Sequence, residues 1–237
     1  EDHKKDFAYQ TSWGYSTRSI GAMIMIHGDN KGLVLPPRVA QVQVVIVPIH
    51  HKEHQEKLIE VSETVLKRLK GAGIRTKLDN RPNYKPGWKF NHWEVKGVPI
   101  RLEIGTKDLE KNEVRVVRRY DGEKFQLKLD DLETKIPEEL ETIQKNMYDK
   151  ALSERDSRIK NVSDWDSFMT EVNKRNLCLT PWCDQQECEN EVNEKSKEES
   201  KAMESEESLT GSAKTLCKPL KQEPLADGTK CFACGKE

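Results

Sequence analysis

Hydrophobic and polar positions alternate with two different periods between residues 41 and 130. Runs of β-branched residues with strand spacing flank one segment whose apolar residues recur at helical spacing, and the dipeptide Asp121-Gly122 marks a hairpin turn. This succession predicts a small α/β domain with a mixed sheet. The predicted strands are 41–48, 74–78, 99–104, 114–119 and 124–129, and the predicted helix carries Leu58, Val61, Val65, Leu66 and Leu69 and ends at Gly71-Ala72-Gly73.

The residues before this domain predict a strand at 7–13 and a helix at 17–27, with Ser16 as the N-cap of the helix. The apolar residues of that helix, which must be buried, are Ile20, Met23, Ile24 and Ile26. A segment of about forty residues is too short to bury them by itself. We therefore expect the chain to be the C-terminal piece of a longer protein, whose upstream residues cover the helix.

The residues after the domain predict a helix that starts at Pro137 and a shorter helix capped by Ser163. Their inner stripes, which we interpret as core packing, are Leu140, Ile143, Met147, Ala151 and Leu152 in the first and Trp165, Phe168, Met169 and Val172 in the second. Residues 189–214 are mostly Glu, Lys and Ser. We expect them to form a disordered loop, because they bury too little apolar surface to offset the entropy lost on ordering.

Charge is distributed unevenly along the 237 residues, although the formal net charge is −1. Residues 41–130 carry 19 Lys and Arg against 13 Asp and Glu, whereas residues 184–207 carry 10 acidic residues and 3 lysines. This distribution is typical of a domain that binds a polyanion, followed by a solvated segment. No apolar run approaches the ~20 residues of a membrane-spanning helix. No signal peptide is visible, so we expect a reducing compartment.

The segment from Ser12 to Arg18 indicates a nucleotide-phosphate site. A turn at Gly14 leads into the predicted helix, whose first turn carries Arg18. Free backbone N–H groups at a helix start and a forked guanidinium both attract phosphate oxygens. The alternative is that Arg18 pairs with a surface carboxylate.

Four of the six cysteines form two close pairs, Cys183 with Cys188 and Cys231 with Cys234. Two such pairs can supply four thiolates to one tetrahedral zinc ion. That zinc would be structural, since four sulfur ligands leave no position for water. The alternatives are two disulfides or four unrelated thiols, and we expect the other two cysteines, Cys178 and Cys217, to be packing residues.

The segment 83–105 mixes aromatic and basic side chains, a combination that binds single-stranded nucleic acid. Aromatic rings stack on bases and cations contact phosphates. A glutamate can accept the N–H groups of guanine, and an arginine can donate to its O6 and N7. The alternative is that Trp88, Phe90 and Trp93 pack against the sheet.

Several longer strings occur in order along the chain: Tyr9-Gln10-Thr11-Ser12-Trp13-Gly14, Thr17-Arg18, His27-Gly28-Asp29, Gly32-Leu33-Val34-Leu35-Pro36-Pro37, and Pro86-Gly87-Trp88-Lys89-Phe90 through Gly105. In this order they closely resemble the C-terminal half of prolyl-tRNA synthetases of the eukaryotic and archaeal type, which are class II aminoacyl-tRNA synthetases. The resemblance spans nearly the whole chain except for about 189–212.

The resemblance implies three domains. Residues 1–40 would end an antiparallel-sheet catalytic domain with its third signature motif, residues 41–135 would form a mixed-sheet α/β anticodon-binding domain, and residues 136–237 would form an α+β zinc-bearing C-terminal domain. It also implies site residues. These are Ser16 and Arg18 for ATP, Ser12, Trp13 and Gly14 for the proline pocket, Phe90, Glu94, Arg101, Lys107 and Asp108 for the anticodon, and Cys183, Cys188, Cys231 and Cys234 for structural zinc.

By the same resemblance, the full-length protein would be a cytoplasmic ligase, a homodimer without a membrane anchor. It would activate L-proline with ATP and Mg²⁺ to prolyl-adenylate and transfer the proline to tRNA(Pro). The first two signature motifs would lie upstream, so we expect this fragment alone to be inactive. The alternatives are a non-catalytic RNA-binding module and the prolyl half of a fused glutamyl-prolyl synthetase.

Overall fold

The structure is a computed structural model that describes residues 8–49, 55–202 and 211–236. The chain divides into two compact units, Glu1–Ala151 and Leu152–Glu237, and each has a hydrophobic core of its own. Among the described residues no helix combines the length and the apolar character needed to cross a bilayer.

The first unit contains a five-stranded mixed sheet. Its strands are β1 (Val44–Pro48), β2 (Thr76–Leu78), β3 (Ile100–Ile104), β4 (Glu113–Arg118) and β5 (Lys124–Lys128). Their order across the sheet is β2-β1-β3-β4-β5, in which β1 pairs in parallel with β2 and β3 and the pairs β3–β4 and β4–β5 are antiparallel. The prediction of a mixed α/β fold is confirmed, and each predicted strand of the sheet lies within a few residues of an observed one.

Helices cover both faces of this sheet. The helices of the unit are α1 (Arg18–His27), α2 (Gln55–Gly71), α3 (Pro86–Val95), α4 (Thr106–Glu110) and α5 (Leu132–Ser157), which crosses into the second unit. Val44 and Ile46 of β1 face a core shared with α2 and α5. Val45 and Val47 face a smaller cluster with Trp93 of α3. A strand buried on both faces is apolar throughout, which explains the continuous β-branched run in the sequence.

Helix α5 begins earlier than its proline suggests. Pro137 was predicted as the first helical residue, but the helix starts at Leu132 and includes Pro137. Leu132 and Ile136 are fully buried on the same stripe as Leu140 and Ile143. The free energy gained by burying this first turn is larger than the cost of the one backbone hydrogen bond that proline cannot make.

The start of the chain differs from the prediction in two ways. Residues 8–13 form no strand, since none of the described residues pairs with them. Helix α1 is capped by Thr17 without a side-chain hydrogen bond, and Ser16 is not the N-cap. No residue of α1 is buried, and Ile20, Ile24 and Ile26 of its predicted apolar face are exposed.

The second unit is a small α+β arrangement. Its elements are β6 (Ile159–Asn161), α6 (Trp165–Asn173), β7 (Leu177–Leu179) and α7 (Gln186–Ala202), and the two strands pair in parallel. Asp164, and not the predicted Ser163, caps α6, because its Oδ1 accepts a hydrogen bond from the N–H of Ser167 at 2.8 Å.

Helix α7 replaces much of the loop predicted at 189–214. Residues 189–202 are helical, and residues 203–210 lie outside the described part of the chain. One narrow face of the helix is buried, through Cys188, Val192, Ser196 and Ser200. The four positions are four residues apart, so a single stripe of small side chains is enough to hold the helix against its core.

Candidate functional site

Helix α3 and strand β3 place two of the predicted anticodon residues in contact. Phe90 is half-buried beside the cluster of Val45, Val47 and Trp93. The guanidinium carbon of Arg101 lies 4.4 Å from the centroid of the Phe90 ring. Arg101 also donates through Nε to Oε1 of Glu103 at 3.0 Å. The ring and the carboxylate therefore hold the guanidinium in one orientation.

Glu94 and Arg101 line a common cavity of about 220 Å³. Its apolar wall consists of Val45, Trp93, Val98 and Val117, and its cations are Lys31, Arg101, Arg118, Arg119 and Lys124. Glu94 is the one residue with a carboxylate among the described residues that line the cavity. The cavity is smaller than the ~300–1,000 Å³ of typical small-molecule pockets. Its lining provides an apolar wall, a carboxylate acceptor and a guanidinium donor, which together suit one planar aromatic ring.

The other two predicted anticodon residues lie on α4, beyond the end of β3, and do not line this cavity. Lys107 is exposed. Asp108 accepts a hydrogen bond from the N–H of Gly105 at 3.1 Å and closes the first turn of α4. Of the predicted anticodon set, Glu94 and Arg101 therefore line the cavity, Phe90 contacts Arg101, and the other two residues lie on the neighbouring short helix.

A turn after α1 contacts the end of α3. Arg119 donates to both carboxylate oxygens of Asp29 at 2.7 Å and, through Nε, to the backbone oxygen of Glu94 at 2.8 Å. The Arg119 hydrogen bonds lower the pKa of Asp29 to about 2. Lys31 Nζ lies 3.3 Å from Oε1 of Glu94. Both the backbone and the side chain of Glu94 are thus held by this region.

A buried carboxylate fixes the other side of α3. Asp79 accepts hydrogen bonds from Nε1 of Trp93 at 2.8 Å and from Nη2 of Arg81 at 2.7 Å. Burial raises the pKa of Asp79, but the hydrogen bonds from Arg81 and Trp93 outweigh it and lower the pKa to about 2. The ammonium of Lys89, fully buried, donates to the backbone oxygen of Asp79 at 3.1 Å.

The tryptophans of α3 have different environments. Trp93 is 5% exposed and packs on the sheet, as the packing interpretation predicts. Trp88 is 44% exposed and stacks between Tyr84 and His92, with ring-centroid distances of 3.9 and 5.0 Å. The packing interpretation is therefore wrong for Trp88.

The predicted phosphate and proline residues lie on the surface of the described chain. Arg18 is the first residue of α1 and is exposed, in agreement with an arginine at a helix start. Ser16 and the segment Ser12, Trp13 and Gly14 are also exposed, and Trp13 reaches 94%. These residues therefore form no enclosed pocket with the described part of the chain.

The four paired cysteines converge on one point. Their sulfur atoms all lie within 4.8 Å of one another. The Sγ–Sγ distances are 3.7 Å for Cys188 with Cys231 and 3.7 Å for Cys183 with Cys234. Four sulfurs at ~2.3 Å from a tetrahedral zinc are about 3.8 Å apart. The arrangement therefore fits zinc.

The surroundings of the cysteines agree with this fit. All six cysteines are free, so the alternative of two disulfides is wrong. Burial opposes ionisation of Cys231, but the backbone N–H groups of Cys234 and Ala233 hold its pKa below the ordinary value. Cys178 packs against the core of this unit, whereas Cys217 is exposed, contrary to the packing role predicted for it.

Known proteins share both parts of this structure. The family described as "Anticodon binding domain" matches residues 43–139, and the family described as "Prolyl-tRNA synthetase, C-terminal" matches residues 165–237. The Arabidopsis thaliana protein named "Proline--tRNA ligase, cytoplasmic" is 46% identical over 237 residues, which are 100% of this chain and 43% of that protein. The chain belongs to the prolyl-tRNA synthetase family.

Two further comparisons place the chain in this family. The Drosophila melanogaster protein named "Bifunctional glutamate/proline--tRNA ligase" is 43% identical over 242 residues, covering 98% of this chain and 14% of that protein. The crystal structure of prolyl-tRNA synthetase from Cryptosporidium parvum, complexed with L-proline and AMP, matches with a TM-score of 0.83 and 43% identity. It covers 93% of this chain and 43% of that one. The chain thus spans less than half the length of these prolyl-tRNA synthetase relatives.

Sequence reasoning missed several parts of this chain, and two of them bear on the cavity. Helix α3, which carries Phe90 and Glu94, was not predicted as a helix, although Pro86 at its first position is a helix-start signal. The link from Arg119 to Asp29 was also missed. Asp29 stands in a string that resembles the family, but no local pattern indicates that it pairs with a residue 90 positions away.

Proposed function

We propose that this chain is part of a proline–tRNA ligase, an enzyme that activates L-proline with ATP to prolyl-adenylate and transfers it to tRNA(Pro). Its own share of that function is to read the anticodon. The observation that carries the proposal is the 220 Å³ cavity, in which Glu94 and Arg101 face one space. The names of the relatives support the choice of amino acid and RNA.

The cavity has the chemistry of guanine recognition. The Glu94 carboxylate accepts from the N1–H and N2–H groups of the base, while Arg101 donates to O6 and N7. Phe90 adds an aromatic face, and it already contacts Arg101 at 4.4 Å. A base from an unpaired loop can be turned into such a cavity, whereas a paired base cannot. The site would therefore read the guanines of the proline anticodon.

Lys107 and Asp108 complete the proposed anticodon surface from α4. Lys107 is exposed and free to meet a phosphate or a base edge, and the bond from Gly105 to Asp108 keeps the first turn of the helix in place. We place these two residues on the nucleotides next to the guanine in the cavity.

Residues 1–40 belong, in this proposal, to the catalytic part of the whole enzyme. Arg18 and Ser16 contact the triphosphate of Mg²⁺-bound ATP, and Ser12, Trp13 and Gly14 form part of the proline pocket. The exposure of Arg18 at the start of α1 and of the apolar face of that helix supports this. Because the relatives are more than twice as long, the rest of that site belongs to other parts of the enzyme. We place the whole protein in the cytoplasm as a homodimer.

The second unit holds, in the same proposal, a structural zinc ion on Cys183, Cys188, Cys231 and Cys234. When bound, zinc replaces weak thiol contacts with four metal–sulfur bonds and so fixes the two cysteine turns. The N–H of Phe232 already donates to the backbone oxygen of Pro181 at 3.0 Å, which aligns these turns.

A binding experiment tests the proposal. It measures the affinity of this chain for tRNA(Pro) and for a tRNA(Pro) whose anticodon guanines are replaced, across a range of salt concentrations. We expect the chain to prefer the native anticodon, and Arg101→Ala to lose about 1–3 kcal/mol of that preference. Arg115→Ala is the matched control, since Arg115 is exposed on β4 and does not line the cavity. It should weaken binding to both RNAs equally. No preference in the unsubstituted chain would refute anticodon reading.

A further inference from the structure

Arg119 lies where three segments of the first unit meet. It follows β4, contacts Asp29 in the turn after α1, and contacts the backbone of Glu94 near the end of α3. The side chain is 5% exposed, so its charge is almost removed from water. A buried arginine needs partners of fixed geometry, and here the planar guanidinium provides three well-aligned hydrogen bonds.

The backbone of the same turn is also fitted to α3. Leu33 donates its N–H to the oxygen of Val95 at 3.0 Å. Gly32 has φ +127°, and a Cβ at this position would lie 2.7 Å from the Val95 oxygen. A glycine is required for so close an approach. The turn is therefore held to the end of α3 at the residue next to Glu94.

The Glu94 carboxylate has its own contact with this turn. Lys31 Nζ lies 3.3 Å from Oε1 of Glu94, and the N–H of Lys31 donates to Oδ1 of Asp29 at 2.8 Å. Lys31 is 69% exposed, so this ion pair is worth little by itself. Most of the constraint on Glu94 therefore comes through Arg119 and the backbone.

We propose that Arg119, fixed by Asp29, is a positioning residue that sets the place of Glu94 for reading guanine. The inference rests on the proposed function of Glu94. Recognition of a base edge needs its acceptor within a fraction of an ångström of the right position. Loss of the Arg119 link lets the end of α3 shift, so the chain loses its preference for guanine and keeps its affinity for RNA in general.

The experiment measures how tightly the 237-residue chain binds tRNA(Pro) and the copy with a substituted anticodon. In Arg119→Lys a single ammonium cannot fork onto Asp29 and reach Glu94 as well. We expect the ratio of the two affinities, which is the anticodon preference, to fall about tenfold in this variant. Binding to the substituted RNA and the salt dependence of that binding should not change. Lys31→Ala should lose less than about threefold, as for an exposed ion pair.

Arg68→Lys is the matched control. Arg68 makes the same forked contact with Glu133, at 2.8 and 2.7 Å, but touches no part of α3. We expect it to keep the full preference. Asp29→Asn serves as a second variant, because Asp29 is 43% exposed and the amide keeps the shape of the side chain while it removes the charge that pairs with Arg119. It should lose at least about threefold of the preference.

Three results would contradict the inference. The first is an Arg119→Lys variant that keeps the anticodon preference. The second is an equal loss of binding to both RNAs in that variant, which would indicate a purely structural role. The third is a folded Asp29→Asn variant that discriminates between the RNAs like the unsubstituted chain. Failure of the proposed function is a separate result, since the unsubstituted chain would then show no preference at all.

Discussion

One carboxylate, Asp79, anchors helix α3 through Trp93 and Lys89. It accepts from Trp93 and from both ends of the Arg81 fork, and its backbone oxygen accepts from buried Lys89. Asp79 itself is 2% exposed. A buried carboxylate with three hydrogen bonds from a cation and an indole is a strong anchor, because all its partners would be left unsatisfied without it.

Asp79→Asn should destabilise the first unit, and the effect should depend on pH. The folded pKa of about 2 lies below the ordinary value of 3.8, so the ionised carboxylate stabilises the fold above about pH 4, and this contribution is lost as the pH falls towards 2. We expect a loss of about 2 kcal/mol at pH 7 that shrinks between pH 4 and pH 2. Urea unfolding followed by tryptophan fluorescence at several pH values measures it.

Asp149→Asn is the control for this pH series. Asp149 is half-exposed and pairs with Lys145 one helical turn away on the surface of α5. Its replacement should change stability by less than about 0.5 kcal/mol at every pH. A constant difference between Asp79→Asn and the unsubstituted chain from pH 7 to pH 2 would contradict the role given to the Asp79 charge.

At the scale of elements, α7 shows how little apolar surface can hold a helix. Its buried stripe contains one cysteine, one valine and two serines. Ser196 Oγ accepts a hydrogen bond from the N–H of Ala213 at 2.9 Å, and Trp165 donates to the Glu199 carboxylate at 3.0 Å. Lys195 lies 4.1 Å from the Trp165 ring. Charged residues that resemble a solvated segment thus take part in packing.

Val192→Ala tests whether α7 is held by this stripe. Val192 is 3% exposed in the core of the second unit. Its truncation should cost about 1–2 kcal/mol and lower the unfolding temperature of that unit. Glu191→Ala, on the exposed face one residue earlier, should have almost no effect. Equal stability of the two variants in thermal unfolding would mean that the helix does not pack as described.

At the scale of the whole molecule, the chain has two units with different sources of stability. The first has cores on both faces of a five-stranded sheet, and none of its core residues is a cysteine. The second has a small core in which the cysteine cluster is itself a component. A small core with a metal site gains much of its folding free energy from the metal.

Removal of the proposed zinc should therefore unfold one unit only. We expect about one zinc per chain, and a chelator should abolish the unfolding transition of residues 152–237 and leave that of the first unit unchanged in calorimetry. Cys234→Ser should have the same effect. Cys217→Ser should not, because Cys217 is exposed and outside the cluster. Two unchanged transitions after chelation would exclude a structural metal.

Features that depend on local patterns could be predicted from the amino-acid sequence. The β-branched run of β1, the helical spacing of α2 and the Asp-Gly turn between β4 and β5 report burial within one segment, and the structure contains all three. The spacing of the cysteines indicated two pairs that could converge. The positions of Glu94 and Arg101 followed from longer strings shared with a family.

Tertiary structure alone decided the contacts between distant segments. The bond from Arg119 to Asp29, the burial of Lys89 beside Asp79 and the helical state of α7 each depend on partners that no local period reveals. The strand predicted at 7–13 is absent from residues 8–13 for the same reason, since a strand needs a neighbour to pair with. Local patterns set which residues prefer burial. Only the fold brings together the charges that hold Glu94 in place.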